Sequence, residues 1–397
     1  MPSRRGSRTL LAAVLLLAAL AGCSSEDETE SAQPTPTDVA RAASRALDAR
    51  ARAVRQEDAD AFDRRLAGRP AFRERQQVWF DNLAQLPVGR LGYRLDPASI
   101  VRDGTSYTAT VETTLLLEGY DAAPVTTEGR YRFRPAARRP GRFLLTAVDE
   151  QEPQPWDRGP VEVREGAGVL GIFDSGSIDA APELLSSVES GLASVAAQVP
   201  YDWTRSVVLY ALADPAYFDG LRDVPGDDPE DLDAVAFPVG ESTRFALNPR
   251  MLAQPGGERD RLVRHELTHV AVGTRDDHVP VWLSEGVAEY VAVRPLAPQD
   301  RRISRGAVLA AAAGAGLPED ETFNDQDSDA HYGLAWWAIE YVADAYGDDA
   351  PWQLLDAMAE PDADPDRVLR VQFGTSTREL ADQAARLILS LYDPASS

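Results

Sequence analysis

The sequence of 397 residues predicts an α+β protein of two domains behind an N-terminal leader. Residues 39–86 carry apolar side chains at helical spacing, and residues 91–149 alternate apolar and polar side chains as half-buried strands do. Residues 158–397 begin with short apolar strands and become mostly helical toward the C-terminus. We therefore expect helices plus a curved antiparallel sheet, then a mixed sheet with a mostly helical C-terminal part. The chain length allows two domains, or three.

The first 22 residues have the composition of a secretory signal. Arginines precede an apolar run over residues 10–20, which is short for a membrane span. The segment ends in Leu-Ala-Gly before Cys23, and it resembles the bacterial lipoprotein signal, in which that cysteine becomes the lipidated first residue. Cys23 is the one cysteine of the chain, so no disulfide holds the fold. The resemblance implies an extracytoplasmic protein, lipid-anchored to the bacterial cell membrane. The alternative is an unpaired exported thiol.

Four segments are predicted to lie outside helices and strands. Residues 23–38 are polar and contain several acids and prolines, which is typical of a flexible tether. Residues 151–157 contain two prolines and are expected to link the two domains. The acidic stretches 225–233 and 317–329 are expected to be surface loops that could cover a cleft.

The charge balance excludes some partners. The chain has 64 acidic and 40 basic residues and a formal net charge of −24. Nucleic acid and anionic lipid surfaces are poor partners for such a chain, because both would be repelled. We therefore expect no nucleic-acid partner.

Residues 39–150 form the predicted N-terminal domain. The predicted helices and strands are, in order, helices over 39–56, 59–67 and 71–86, then strands over 91–95, 107–117, 126–133 and 143–149. Helices followed by a curved antiparallel sheet resemble the NTF2-like cone fold, which implies a ligand pocket or docking module. The alternative is a spacer or folding partner for the second domain. No histidine occurs here, so this domain cannot supply one to a metal site.

The second predicted domain, residues 158–397, contains a metal-binding motif. His265 and His269 flank Glu266-Leu267-Thr268, so that on a helix the two imidazoles lie one turn apart on one face. Two neutral imidazoles can bind one zinc ion, while the neighbouring Glu266 can hold a water and accept its proton. The alternative is two histidines on an ordinary amphipathic helix beside an acidic helix.

A catalytic zinc ion needs a third protein ligand and one open position. The metzincin extension would require Gly and His at the positions of Val272 and Arg275, so that branch is excluded. Glu285 is the better candidate, because it lies on a second predicted helix over residues 280–293, which the intervening loop can turn back against the first. Glu289, one turn later, can accept a proton from the far nitrogen of a ligand imidazole.

The His265-Glu266-x-x-His269 motif and the run Trp282-Leu283-x-Glu285-Gly286-x-Ala288-Glu289-Tyr290 resemble the gluzincin superfamily of metallopeptidases, which includes thermolysin and the aminopeptidase N-like enzymes. The resemblance implies that His265, His269 and Glu285 bind Zn²⁺, that Glu266 is the general base and that Glu289 orients an imidazole. The spacing from His269 to Glu285 is shorter than in either group, and no aminopeptidase Gly-x-Met-x-Asn motif precedes it. The shorter spacing favours a compact relative, and the missing motif argues against aminopeptidase activity.

Two further features follow from the resemblance. A tyrosine or histidine on a later helix would donate to the oxyanion of the tetrahedral intermediate, and Tyr332 and His331 are the candidates. A substrate peptide would lie along the sheet edge formed by the strand before the zinc helix, residues 243–248. The fourth histidine, His278, is expected to be structural or exposed.

The sequence therefore predicts a membrane-anchored extracytoplasmic zinc metallopeptidase. Two alternatives remain open. One is a non-catalytic envelope binding or assembly lipoprotein with a structural metal site. The other is a zinc hydrolase that acts on non-peptide amides of the cell wall and shares the same chemistry.

Overall fold

A computed structural model describes residues 35–139, 141–221, 232–254 and 256–392 of the chain. The predicted signal, Cys23 and most of the acidic loop at 225–233 lie outside these residues. The first helix begins at Pro36, inside the segment predicted to be a tether. Among the described residues, no helix has both the length and the apolar composition needed to cross a membrane.

The fold class is α+β, as the sequence predicts. The helices of the described residues are α1 Pro36–Arg55, α2 Ala59–Asp63, α3 Pro70–Leu83, α4 Pro155–Arg158, α5 Ala181–Ala196, α6 Pro215–Phe218, α7 Gly256–Val272, α8 Val281–Val293, α9 Arg305–Ala313, α10 Ser328–Tyr346, α11 Ala350–Met358, α12 Pro365–Phe373 and α13 Thr377–Tyr392. The strands are β1 Val88–Leu95, β2 Val101–Asp103, β3 Ser106–Leu117, β4 Val125–Pro135, β5 Phe143–Glu150, β6 Glu162–Gly166, β7 Val169–Phe173, β8 Val207–Ala211, β9 Ala234–Val239 and β10 Ser242–Leu247. The sequence pattern did not predict β2, α4 and α12, and α4 begins within residues 151–157, which were predicted to be a linker.

The N-terminal half contains an antiparallel sheet with the order β1-β3-β4-β5, and β2 pairs with β3. Helix α1 packs against β1 and β5 through an apolar face that includes Val39, Ala43 and Leu47. The guanidinium of Arg50 is buried and lies over the rings of Phe62 and Trp79 at 4.5 Å and 4.1 Å. Helices thus precede and cover an antiparallel sheet as expected, while the NTF2-like assignment stays a prediction.

The second sheet is mixed and has the order β6-β7-β8-β10-β9. Strands β7, β8 and β10 are parallel neighbours, and the two outer pairs are antiparallel. The expectation that residues 243–248 form the sheet edge is wrong, because β10 lies between β8 and β9. The edge strand is β9, and Pro238 on it has no N–H to donate, which suits an edge rather than an interior strand.

Both faces of the mixed sheet are buried. One face, with Val207, Leu209 and Phe245, packs against α5 and α7 in one core. The opposite face, with Leu170 and Val208 among its residues, packs in a second core together with the N-terminal helices and sheet. This explains why β7 and β8 are continuous apolar runs rather than alternating ones. The chain from Pro36 onward forms one compact unit, and the buried Arg244–Asp121 ion pair joins its halves.

Close helix contacts position the residues with the metal-binding motif. Helix α8 lies between α7 and α10. Gly286 of α8 faces the backbone of α10 so closely that a Cβ atom at this position would lie 2.7 Å from the carbonyl oxygen of Ala335. Glycine therefore permits the close approach of α8 and α10, which brings Tyr332 toward the motif.

Candidate metal centre

Helices α7 and α8 place the two motifs side by side. Leu267 and Ala271 on α7 face the core, and His265, Glu266 and His269 lie on the side of the helix toward α8 and β9. Glu285 comes from α8, and its side chain meets both imidazoles. His265, Glu266 and Glu285 are each only 6% exposed, so three ionisable side chains lie close together in the protein interior.

Three ligand atoms converge on one point. The Nε2 atoms of His265 and His269 are 3.3 Å apart, and Oε2 of Glu285 lies 3.0 Å from the first and 3.7 Å from the second. Ligands at 2.0–2.1 Å from a tetrahedral zinc ion are about 3.3 Å from one another. The three atoms therefore fit three corners of such a tetrahedron. Among the described residues, no other His, Cys, Asp or Glu belongs to this group.

Each imidazole has a carboxylate at its far nitrogen. Oε1 of Glu289 is 3.1 Å from Nδ1 of His265, at ion-pair distance but without a well-aligned hydrogen bond. Oδ2 of Asp276 is 2.5 Å from Nδ1 of His269. Such partners leave Nε2 free to bind a metal and hold the ring orientation. The sequence pattern singled out Glu289 for this position, but it missed Asp276.

Glu289 is itself held by an arginine. Arg261, one turn before His265 on α7, contacts Oε2 of Glu289 through Nε at 3.0 Å and Nη2 at 2.5 Å. Its guanidinium also lies over the ring of Trp336 at 5.4 Å. The Glu289 carboxylate is therefore shared between an imidazole and a guanidinium, which leaves it little freedom to turn toward the metal position.

The charges of the site favour a cation. Burial opposes a charge on His265, but Glu285 and Glu289 outweigh it and raise the pKa of the imidazole to about 10. For Glu285, burial is likewise opposed by the two imidazoles, which hold the pKa of its carboxyl below the usual value. Both shifts have the same physical origin, since buried carboxylates attract positive charge to this point. A divalent ion at the three ligand atoms would satisfy them.

Glu266 lies beside this group without joining it. Its Oε2 accepts a hydrogen bond of 2.7 Å from the backbone N–H of Ala236 on the edge strand β9. Burial raises the pKa of its carboxyl, while the neighbouring imidazoles and the bond from Ala236 act in the opposite direction. The side chain lines the adjoining cavity, so it can meet a water or a substrate there.

A cavity of about 520 Å³ opens next to the motif. Its lining residues are Leu232, Asp233, Ala234, Arg261, Leu262, His265, Glu266, Glu289, Arg302, Ile303, Ser304, Asn324, Ser328, Asp329, Tyr332, Gly333 and Trp336. Part of the predicted acidic loop at 317–329 thus contributes to its wall. The volume lies within the range of small-molecule sites.

The two oxyanion candidates are placed differently. The helix that carries them begins at Ser328, so they lie within its first turns rather than opening it. The Tyr332 ring lines the cavity with its centroid 6.0 Å from that of His265, whereas Nδ1 of His331 donates to the carbonyl of Phe323 at 2.9 Å. Burial and the nearby carboxylates, with Glu285 foremost, raise the pKa of Tyr332 well above its usual value, so the phenol keeps its proton. His278 is exposed.

Comparisons with known proteins add little to this geometry. No protein-family model matches the chain, and no curated protein matches it. Among solved structures, that of native yeast LTA4 hydrolase is similar over 76% of this chain and 69% of its own, with 9% sequence identity and a TM-score of 0.36. A likeness this weak carries no argument, so the functional conclusion depends on the residues themselves.

The arrangement can bind a divalent metal and present it to an open cavity. Three side chains supply the ligand atoms, two carboxylates orient the imidazoles, and Glu266 and Tyr332 face the cavity beside them. Asp276, Arg261 and Ala236 are the contributors that the sequence pattern did not reveal. None of the three left a clear signal, because Asp276 lies beside a second aspartate, Asp277, in the loop between the two motif helices.

Proposed function

We propose that this protein is a zinc-dependent peptidase that is anchored by lipid on Cys23 outside the cytoplasm of a bacterial cell. The observation that carries the enzymatic part is the convergence of His265, His269 and Glu285 on one point beside a buried carboxylate and an open cavity. The anchor is supported by the leader sequence alone, through its apolar run and its single cysteine.

Zn²⁺ held by His265, His269 and Glu285 would supply Lewis acidity toward water and a peptide carbonyl. Glu266 then acts as the general base: its carboxylate, held at one oxygen by Ala236, takes a proton from water and passes it to the leaving amine. The protonated phenol of Tyr332 donates a hydrogen bond to the oxygen on which negative charge develops. Asp276 and Glu289 hold the imidazoles with Nε2 toward the metal position.

The number of protein ligands favours a catalytic site over a structural one. Structural zinc sites are generally closed by four protein ligands, whereas catalytic sites keep one position open. Here three ligand atoms converge among the described residues, and the site adjoins a cavity of about 520 Å³. The cavity thus provides space for a substrate at the open position. A zinc hydrolase for non-peptide amides of the cell wall would use the same residues, and a substrate survey separates the two.

Metal analysis combined with a protease assay tests the proposal. The purified protein is expected to contain about one zinc per chain and to cleave casein or a quenched peptide, and a chelator is expected to stop cleavage. Glu266→Gln should keep the metal and lose hydrolysis, because glutamine cannot take the proton. The matched control is Glu258→Gln, an exposed position in the first turn of the same helix. Full activity of the Glu266→Gln protein would remove this residue from the mechanism.

The anchor has a separate test. Cys23→Ser should move the protein from the membrane fraction to the soluble exported fraction of a bacterium that processes lipoproteins. An unchanged membrane fraction would refute lipidation at Cys23 and leave the enzymatic proposal untouched.

A further inference from the structure

A second cavity, in the N-terminal half, is lined by positive charge. It has a volume of about 330 Å³ and lies between α1 and the start of β5, and its charged lining residues are Arg45, Asp48, Arg52, Arg65 and Arg142. We call it the arginine cavity. It shares no lining residue with the cavity at the motif. Its lining, with four guanidinium groups and one carboxylate, is therefore net positive.

These arginines have no carboxylate partners among the described residues. Within the part of the chain that the structure describes, none of the four forms an ion pair. Other arginines of the same half, such as Arg73, Arg94 and Arg132, are each paired with an aspartate or glutamate. Some exposed arginines elsewhere in this half, such as Arg130, likewise form no ion pair among the described residues, but in the cavity four such groups lie together. The arginine cavity therefore keeps an excess of positive charge.

Local contacts hold two of the guanidinium groups in place without neutralising them. Nη2 of Arg142 donates to the carbonyl of Arg64 at 2.8 Å, and its Nε is buried without a hydrogen-bond partner. Nη2 of Arg45 donates to the carbonyl of Gly141 at 3.2 Å. Burial, together with the positive charges of Arg142 and Arg52, lowers the pKa of Arg65. The arginines thus repel one another where a bound anion would attract them all.

We propose that the arginine cavity binds a phosphate group. A phosphate carries up to two negative charges and several acceptor oxygens, and the planar fork of arginine donates to such oxygens in pairs. A volume of about 330 Å³ has room for a small phosphate ester as well as for the free ion. Soluble phosphate esters and anionic lipid headgroups both present this chemistry.

Titration calorimetry of the full-length chain with inorganic phosphate and with glycerol 1-phosphate tests the site. Saturable binding of either ligand is expected at moderate salt. Arg52→Gln combined with Arg65→Gln should weaken it at least tenfold, because two of the four cations are lost. Asp48→Asn should strengthen it several-fold, since the one carboxylate of the lining repels phosphate. The matched control, Arg130→Gln, changes an exposed arginine of β4 outside the cavity and should leave the affinity unchanged.

Folding and the source of the phosphate are checked separately. The double variant should unfold at a temperature equal to or above that of the parent, since it relieves repulsion and removes no hydrogen bond made by either side chain. In the Cys23→Ser background, which lacks the proposed lipid anchor, co-sedimentation with vesicles of phosphatidylglycerol, lost in the double variant, would assign the phosphate to a lipid headgroup. Binding of soluble esters alone would assign it to a small ligand. Absence of saturable binding in both assays, or equal affinities of the double variant and the Arg130→Gln control, would overturn the proposal.

Discussion

Oδ2 of Asp276 lies 2.5 Å from Nδ1 of His269, and this contact orients the second imidazole of the metal site. Asp276 belongs to neither motif helix. It lies in the connection between α7 and α8, so the same segment that reverses the chain also holds a ligand ring. In zinc proteins, removal of a residue that holds a ligand imidazole in this way typically lowers metal affinity by roughly 10- to 100-fold.

We expect Asp276→Asn to lower zinc affinity by about 10- to 100-fold, because an amide holds the imidazole less firmly than a carboxylate. Competition with a chromophoric chelator measures the affinity directly. The adjacent exposed Asp277→Asn is the control and should bind zinc as the parent does. Equal affinities of the two variants would show that the contact with His269 is dispensable.

Gly286→Ala should destabilise the protein and loosen the metal site together. Its new Cβ would lie 2.7 Å from the carbonyl oxygen of Ala335, so α8 and α10 must separate. Overpacking of this kind costs about 1–3 kcal/mol. Denaturant unfolding measures the loss, and zinc titration should show weaker binding. At Gly257 of α7 a Cβ would meet open space, so Gly257→Ala should be neutral or slightly stabilising.

Tyr332→Phe should keep zinc but lower kcat by about 100- to 1000-fold, which is the usual effect of removing one oxyanion donor. His331→Gln should leave kcat within a few-fold of the parent, because that ring is engaged with Phe323. Steady-state kinetics on a quenched peptide distinguishes the two residues. A large loss of kcat in the His331 variant, with none in Tyr332→Phe, would reverse the assignment.

Asp157 should make stability depend on pH. Burial and the nearby Glu150 raise the pKa of its carboxyl from 3.8 to about 7, against hydrogen bonds from Gln154 and Trp79. The folded protein therefore holds a proton that the unfolded chain releases between pH 4 and 7. The stabilisation that results is present below pH 4 and is lost as the pH rises to 7.

Denaturant unfolding at several pH values between 4 and 8 measures this effect. Asp157→Asn should show a smaller decline of unfolding free energy across that window, by about 1 kcal/mol or more, which is the equivalent of one pKa unit. The exposed Asp60→Asn serves as the control and should follow the parent. Parallel curves for Asp157→Asn and the parent would contradict the raised pKa.

Local spacing predicted most of the elements and the core of the metal site. His265 and His269 were accessible to sequence reasoning because a helix places residues four apart on one face. Glu285 was accessible because the loop after the first motif helix can turn a second helix back against it. The order of the strands was not accessible to sequence reasoning, because the position of β10 between β8 and β9 depends on a long-range pairing that no local pattern encodes. Pro238 was the available signal for the edge strand.

Residues that act through the tertiary structure escaped prediction for the same reason. Asp276 is one of many acidic residues in an acidic chain, and only the contact with His269 distinguishes it. The arginine cavity collects side chains from residues 45–65 and from Arg142, which are far apart in the sequence. The net charge of the whole chain gives no sign of this cluster, because it sums over both halves.

The two-sided burial of the mixed sheet limits how this chain can evolve. Leu170, Ile172, Val208 and Tyr210 are covered by the N-terminal helices and sheet, so the half with the candidate metal site would expose a large apolar surface if it were separated from the first half. A variant without the first half would need either another element packed against this apolar face of the sheet or polar residues in place of the apolar ones.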